Sequence, residues 1–95
     1  MKPSTRDQLL KTARQGQKTR YNEFKMILEQ FGFRLASMNR LHNIFSHPQV
    51  PELVNIQNIN GEMKAFQVKQ IINLVYRYQL RAKDELNSEP SSDAE

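Results

Sequence analysis

The chain has 95 residues, a formal net charge of +4 and no cysteine. This length supports one small domain with a single core and room for one site. The absence of cysteine excludes disulfides and thiolate metal ligands, and no apolar run approaches the roughly 18 residues that a membrane-spanning helix needs. Because the N-terminus carries no apolar leader either, we expect a cytoplasmic protein that does not enter a membrane.

The charge is unevenly distributed along the chain. All 14 Lys and Arg residues lie within residues 1–83, which hold five acidic residues and therefore carry a formal charge of +9. Such an excess on a small domain favours polyanionic partners, nucleic acid first, although a basic surface can also serve solubility alone. Residues 84–95 hold the other five acidic residues and almost nothing to bury, so they are predicted to form a disordered acidic tail.

Two helices are predicted in the first third of the chain. In the first, within residues 1–19, Ser4 and Asp7 form a capping box and Gly16 ends the apolar spacing. The second begins at a cap on Asn22 and ends at Gly32, where a positive φ causes no Cβ clash. The apolar face of the second helix consists of Phe24, Ile27, Leu28 and Phe31.

Three strands and a long helix are predicted after Gly32. The strands are Phe33–Met38, Leu41–Ser46 and Glu52–Gln57, with Pro48 and Pro51 breaking the pattern before the third. Asn60-Gly61 closes the sheet region, and the last helix runs from about Ala65 to Arg81. This order predicts an α+β fold, α-β-β-β-α, with a three-stranded antiparallel meander and helices on one face. The predicted core consists of Phe24, Leu28, Phe33, Ile44, Ile56, Val68, Ile72 and Val75.

A run of motifs in residues 20–80 resembles the HicA toxins, the YcfA-like mRNA interferases of bacterial HicA/HicB toxin–antitoxin systems. The motifs are Gly32-Phe33, His42-x-Ile44-Phe45-x-His47-Pro48, Leu53-Val54-Asn55-Ile56, and Lys64 before an Ile-rich helix. The resemblance implies a dsRBD-like fold for residues 20–83 and a metal-independent mRNA endoribonuclease that needs no cofactor. It also implies a HicB-like antitoxin as partner, and it places the catalytic histidine at His42.

The chemistry of metal-free RNA cleavage points to the same histidine. It requires a base for the ribose 2′-OH, a cation for the phosphorane and an acid for the 5′-oxygen. His42 is the candidate base, with Lys64 or Arg40 as the cation, and Lys64 with Lys69 can hold a phosphate at the start of the last helix. His47 lies five residues along the strand, on the opposite face and about 16 Å away, which favours a strand-end role.

One departure from the family pattern leaves two functions open. HicA toxins usually carry Gly-Ser directly before the catalytic histidine, whereas this chain has Arg40-Leu41. The small pair lets RNA approach the backbone beside the imidazole, Leu41 adds bulk there, and Arg40 can add a phosphate contact. The chain is therefore either an active endoribonuclease or a catalytically silent relative that binds RNA or the antitoxin. An adaptor with no RNA binding is a third hypothesis.

Overall fold

The computed structural model describes residues 3–15, 19–39 and 41–87. Their fold is α+β, as the sequence predicts. In chain order the elements are α1 Thr5–Gln15, β1 Thr19–Arg20, α2 Tyr21–Gln30, β2 Arg34–Asn39, β3 His42–His47, β4 Val50–Gln57, β5 Glu62–Met63, α3 Ala65–Arg77 and α4 Lys83–Asn87. None of the helices in these ranges is long and apolar enough to cross a membrane.

The predicted meander is a three-stranded antiparallel sheet in the order β2-β3-β4. Alternate residues of β3 and β4 face the core, and Phe45, Val54 and Ile56 are fully buried there. The two-residue strands β1 and β5 pair separately, which the sequence pattern did not predict. β4 begins two residues before its predicted start and includes Pro51, which an edge strand tolerates because one side of its backbone needs no ladder bond.

Gly32 ends α2 with the backbone geometry that the sequence predicts. Its φ is +96°, and the two amides after the C-cap bond back into the last turn. The N–H of Phe33 donates to the Leu28 carbonyl and the N–H of Gly32 donates to the Glu29 carbonyl, both at 3.0 Å. This Schellman motif turns the chain from α2 into β2, so it sets the direction in which the sheet starts.

The N-terminal helix is held by the C-terminal segment. Ser4 Oγ accepts the Asp7 N–H at 3.0 Å, which confirms the Ser4 side of the predicted capping box. The Thr5 N–H and hydroxyl donate to one oxygen of Asp84 at 2.8 and 2.9 Å, and Arg6 pairs with Glu85 at 2.6 Å. The same guanidinium lies over the rings of Phe31 and Tyr76. The hydrogen bonds from Arg6 lower the pKa of Glu85 below its usual range, against a smaller opposing effect of burial.

Several predicted boundaries are corrected. Residues 84–87 belong to α4 rather than to a disordered tail, because the carboxylates of Asp84 and Glu85 accept hydrogen bonds from α1. The rest of that predicted tail, 88–95, lies outside the described residues, as does Gly16. α2 begins at Tyr21 with Arg20 as its N-cap, so the cap on Asn22 is wrong, and α3 ends at Arg77 rather than Arg81.

The core differs from the predicted set at two positions. Ile44 and Ile72 are only partly buried, because Ile44 points to the sheet face that the helices leave open and Ile72 lies at the edge of the helical stripe. Ile71, its neighbour, is fully buried instead. The other six predicted core residues are buried, namely Phe24, Leu28, Phe33, Ile56, Val68 and Val75.

Candidate nucleic-acid interface

The outer face of the β2-β3-β4 sheet is open to solvent because the helices cover only the inner face. Residues that pair across the strands point to the same side, so the register defines which side chains share this face. Those on the outer face are Arg34, Ser37, Asn39, His42, Ile44, Ser46, Asn55 and Gln57. All of them are exposed or partly exposed, and most are polar. We call these eight residues the outer face.

His42 is exposed at the start of β3 and is held by one neighbour on β4. Its Nδ1 lies 3.3 Å from Oδ1 and 3.1 Å from Nδ2 of Asn55. The register explains the contact, because His42 is opposite Gln57 and Ile44 is opposite Asn55, which makes Asn55 the diagonal neighbour of His42 on the outer face. Nε2 of His42 has no protein partner among the described residues, so it is open to a ligand.

The strand that carries Asn55 is fixed along its free edge by a buried amide. Gln67 in α3 is 4% exposed. Its Oε1 accepts the Gln57 N–H at 3.2 Å and its Nε2 donates to the Asn55 carbonyl at 3.0 Å. The side chain therefore replaces the bonds of a missing neighbouring strand. It also places the first turn of α3 beside the end of β4 that faces His42.

The predicted RNA-binding cations do not all come together. Lys64 is the exposed N-cap of α3, three residues before Gln67, so it lies at the same end of the sheet as His42. Lys69 is exposed two residues after Gln67, about 200° around the helix axis, on the side of α3 turned away from β4. Arg40 lies outside the described residues. Lys64 thus shares its end of the sheet with His42, whereas Lys69 lies on the other side of α3.

His47 has a structural role at the end of β3, as expected. Its Nδ1 accepts the Gln49 N–H at 3.0 Å and its Nε2 lies 2.8 Å from the Phe31 carbonyl. Because Nδ1 accepts, Nε2 carries the hydrogen and donates to that carbonyl. The ring also packs edge-on against Phe33, with centroids 5.0 Å apart. Both nitrogens are used inside the domain, so neither is free for RNA.

Sequence reasoning missed two outer-face residues that can contact a ligand or the candidate base. Arg34 adds a cation on β2, opposite Ser46 of β3. Because Ser46 is four residues after His42, Arg34 lies about 13 Å from His42 along the strand direction. The alternation of Phe33 inward and Arg34 outward could have indicated this position. Asn55 gave no comparable signal, because its contact with His42 depends on the β3–β4 register.

Two further observations delimit the site. A cleft of about 570 Å³ lies between α1 and α2, where Lys11, Arg20 and Met26 are among the lining residues, and it contains no residue of the outer face. In the ranges described, no three His, Asp or Glu side chains are grouped so that they could hold a metal ion. The candidate histidine is exposed and does not line this cleft.

Comparison of the chain with family models, with curated proteins and with solved structures finds no match. The resemblance to HicA toxins therefore depends on the motifs quoted from the sequence.

Proposed function

We propose that this chain is an RNA-binding, HicA-like toxin that cleaves mRNA without a metal ion and uses His42 as its general base. The observation that carries the proposal is the exposed imidazole on the outer face, with Nδ1 held by Asn55 and Nε2 open. An extended polymer can lie across such a face, whereas a buried histidine could not reach a ribose hydroxyl. The +9 formal charge of residues 1–83 supports a polyanionic ligand.

The proposed reaction is a transesterification within the RNA chain. Nε2 of His42 takes the proton of a ribose 2′-OH, the 2′-oxygen bonds to the adjacent phosphorus, and the bond from phosphorus to the 5′-oxygen breaks. Lys64, the exposed N-cap of α3 at the same end of the sheet, is the cation proposed to stabilise the negative charge that develops on the phosphorane. Arg34 is placed to hold a neighbouring phosphate rather than the reacting one. The leaving 5′-oxygen takes its proton from solvent water, which reaches this exposed face, because both nitrogens of His47 are occupied.

The proposed protein partner is a HicB-like antitoxin that covers the outer face in the cytoplasm. Two large apolar side chains near that face support a protein partner in addition to RNA. Leu53 on β4 is 66% exposed and Leu41, directly before β3, is 50% exposed. Apolar side chains that are exposed beside a polar face are typical of a surface that another protein covers.

The catalytically silent relative is the alternative, and the position of Leu41 favours it. Leu41 accepts the Asn58 N–H through its carbonyl, which fixes the backbone directly before His42 while the side chain stays half exposed. The bulk of this side chain thus stands where the Gly-Ser pair of HicA toxins would leave space. In this reading the outer face still binds RNA or the antitoxin, but the ribose hydroxyl does not reach Nε2.

The experiment compares wild-type protein with His42→Ala in RNA cleavage with EDTA present and in growth arrest on expression. We expect the substitution to abolish both while the fold and RNA affinity stay nearly unchanged, because the imidazole transfers a proton and does not hold a phosphate. Asn73→Ala, at an exposed position of α3 outside the outer face, is the control and should keep wild-type activity.

Binding and repair variants separate the three hypotheses. RNA affinity should fall steeply between ~50 and ~200 mM salt if phosphates dominate binding, and an affinity that is absent or flat would leave only the adaptor. A wild-type protein that binds in this way but neither cuts RNA nor arrests growth would establish the silent relative. Replacing Arg40-Leu41 with Gly-Ser should then create cleavage if Leu41 is what blocks the RNA.

A further inference from the structure

We propose that Asn55 is a positioning residue that fixes the tautomer of His42, so that Nδ1 carries the hydrogen and a bare Nε2 faces the open side of the sheet. The amide oxygen of Asn55 accepts the Nδ1–H in this arrangement. The assignment of Nε2 as the base rests on the proposed function, whereas the tautomer itself is a property of the free protein. It is measured without RNA.

Among the described residues, Asn55 is the one side chain that hydrogen-bonds to the His42 ring and can set its tautomer. Both atoms of the Asn55 amide lie within hydrogen-bond distance of Nδ1, at 3.1 and 3.3 Å, and no other described residue bonds to the ring. An amide can present either its oxygen or its NH₂ group to Nδ1. With the oxygen inward, the hydrogen is on Nδ1 and Nε2 keeps its lone pair. With the NH₂ group inward, Nδ1 accepts, Nε2 carries the hydrogen, and the open side of the ring is a donor.

Only the first arrangement serves a base throughout the reaction. When Nε2 takes a proton, the ring becomes a cation whose two nitrogens both donate. The amide oxygen already accepts from Nδ1 and stabilises that cation without moving. An inward NH₂ group would instead face an N–H and would have to rotate. A histidine whose second nitrogen bonds to an orienting oxygen is the arrangement by which hydrolases set the tautomer of a catalytic base.

The backbone under Asn55 is fixed well enough for this role. Its carbonyl accepts Nε2–H of the buried Gln67, whose Oε1 holds the Gln57 N–H. The ladder with β3 fixes the other side of the strand, with Ile44 opposite Asn55. The backbone that carries the Asn55 side chain is therefore held by hydrogen bonds on both sides of the strand. This allows a single amide on an exposed surface to keep a constant distance from His42.

The test is the ¹⁵N spectrum of the imidazoles in the free full-length protein at alkaline pH. A bare ring nitrogen resonates far downfield of a protonated one, so the spectrum identifies the tautomer. The chain has two histidines, and His47 is an internal reference because its bonds to Gln49 and Phe31 fix the Nε2–H form. We expect His42 to show the opposite, Nδ1–H pattern.

Three variants complete the test. Asn55→Ala should move His42 toward the Nε2–H form that a free histidine side chain prefers, whereas Asn55→Asp, which can only accept, should keep the Nδ1–H form. Asn73→Ala, the same substitution at an exposed position of α3 outside the outer face, should change nothing. An Nε2–H spectrum in the wild type, or an unchanged spectrum in Asn55→Ala, would overturn the inference.

The cleavage assay then separates this inference from the proposed function. If the protein is an endoribonuclease, Asn55→Ala should slow cleavage by about 10- to 100-fold at unchanged RNA affinity, less than the loss of the base itself, and Asn55→Asp should restore much of the rate. A rate in Asn55→Ala that equals the wild-type rate would overturn the positioning role. A protein that never cuts RNA but shows the expected tautomers would refute the proposed function and leave the assignment of Asn55 intact.

Discussion

The substitution Gly32→Ala tests how α2 is joined to the sheet and whether His47 is a structural residue. Gly32 has φ +96°, and a Cβ built there would lie 2.9 Å from Nε2 of His47. The backbone conformation alone should cost an alanine about 1–2 kcal/mol. Displacing the His47 ring should break its bond to the Phe31 carbonyl and leave a half-buried polar group unpaired, at a further ~1–3 kcal/mol. The expected loss is therefore about 2–5 kcal/mol.

Urea unfolding followed by circular dichroism measures this loss. With a slope of about 1 kcal/mol per molar urea for a small domain, the midpoint should fall by roughly 2 M or more. Gly61→Ala is the matched control, because Gly61 also has positive φ, +85°, but nothing lies within 4 Å of its added Cβ. It should lose only the backbone part, about 1–2 kcal/mol.

A double-mutant cycle tests whether the cost of Gly32→Ala beyond the backbone part comes from the clash with the His47 imidazole. In a His47→Ala background the excess cost of Gly32→Ala over Gly61→Ala should disappear, because the atom that meets the new Cβ is gone. If Gly32→Ala is no more harmful than Gly61→Ala in the wild-type background, the contact with His47 is wrong. The structural assignment of that histidine would lose its main support.

Three other predictions concern the helices. Ile71→Ala should lower the free energy of unfolding by about 2–5 kcal/mol, because the side chain is fully buried. Ile72→Ala should lower it clearly less, because Ile72 is only partly buried. Equal urea midpoints for the two variants would contradict the helix register. Gln79→Gly should stabilise the domain by about 1 kcal/mol, because Gln79 is exposed and has φ +53° directly after Tyr78, the C-cap of α3. A lower thermal midpoint would refute this. Glu85→Gln should cost about 1 kcal/mol at neutral pH. Because the pKa of Glu85 is lowered in the folded protein, its contribution to the free energy of unfolding is complete above the usual glutamate pKa range and is lost as the pH falls through the folded-state pKa. The stabilities of wild type and Glu85→Gln should therefore become equal in strong acid but differ at neutral pH.

Local patterns in the sequence were sufficient for most of the fold. The i, i+3, i+4 spacing and the glycine stop gave the end of α2 and placed its cap two residues late, and alternation gave the three strands of the sheet. Ile44 was assigned to the core because apolar residues of a strand usually face inward, but its register partner is Asn55 on the open side. The pattern could not decide this because both Ile44 and Phe45 are apolar.

Contacts between distant segments could not be predicted in this way. Asp84 and Glu85 read as part of a solvated acidic tail, yet each bonds to α1 across 79 positions of sequence. The pairing of β1 with β5 likewise joins two pairs of residues that are too short to show a pattern. In the candidate site, His42 could be proposed from its residue type and motif. Its partner Asn55 was not, because a diagonal pair exists only once two strands are in register.

The most direct test of the proposed activity is a comparison of two oligonucleotides in the presence of EDTA. One is an RNA that the protein cuts, and the other differs only in a 2′-deoxy sugar on the 5′ side of the scissile phosphate. If His42 takes the 2′-OH proton, the RNA should yield a 2′,3′-cyclic phosphate and a 5′-hydroxyl end, the deoxy analogue should stay intact, and His42→Ala should cut neither. Cleavage of the deoxy analogue by the wild-type protein, or of the RNA by His42→Ala, would contradict the account.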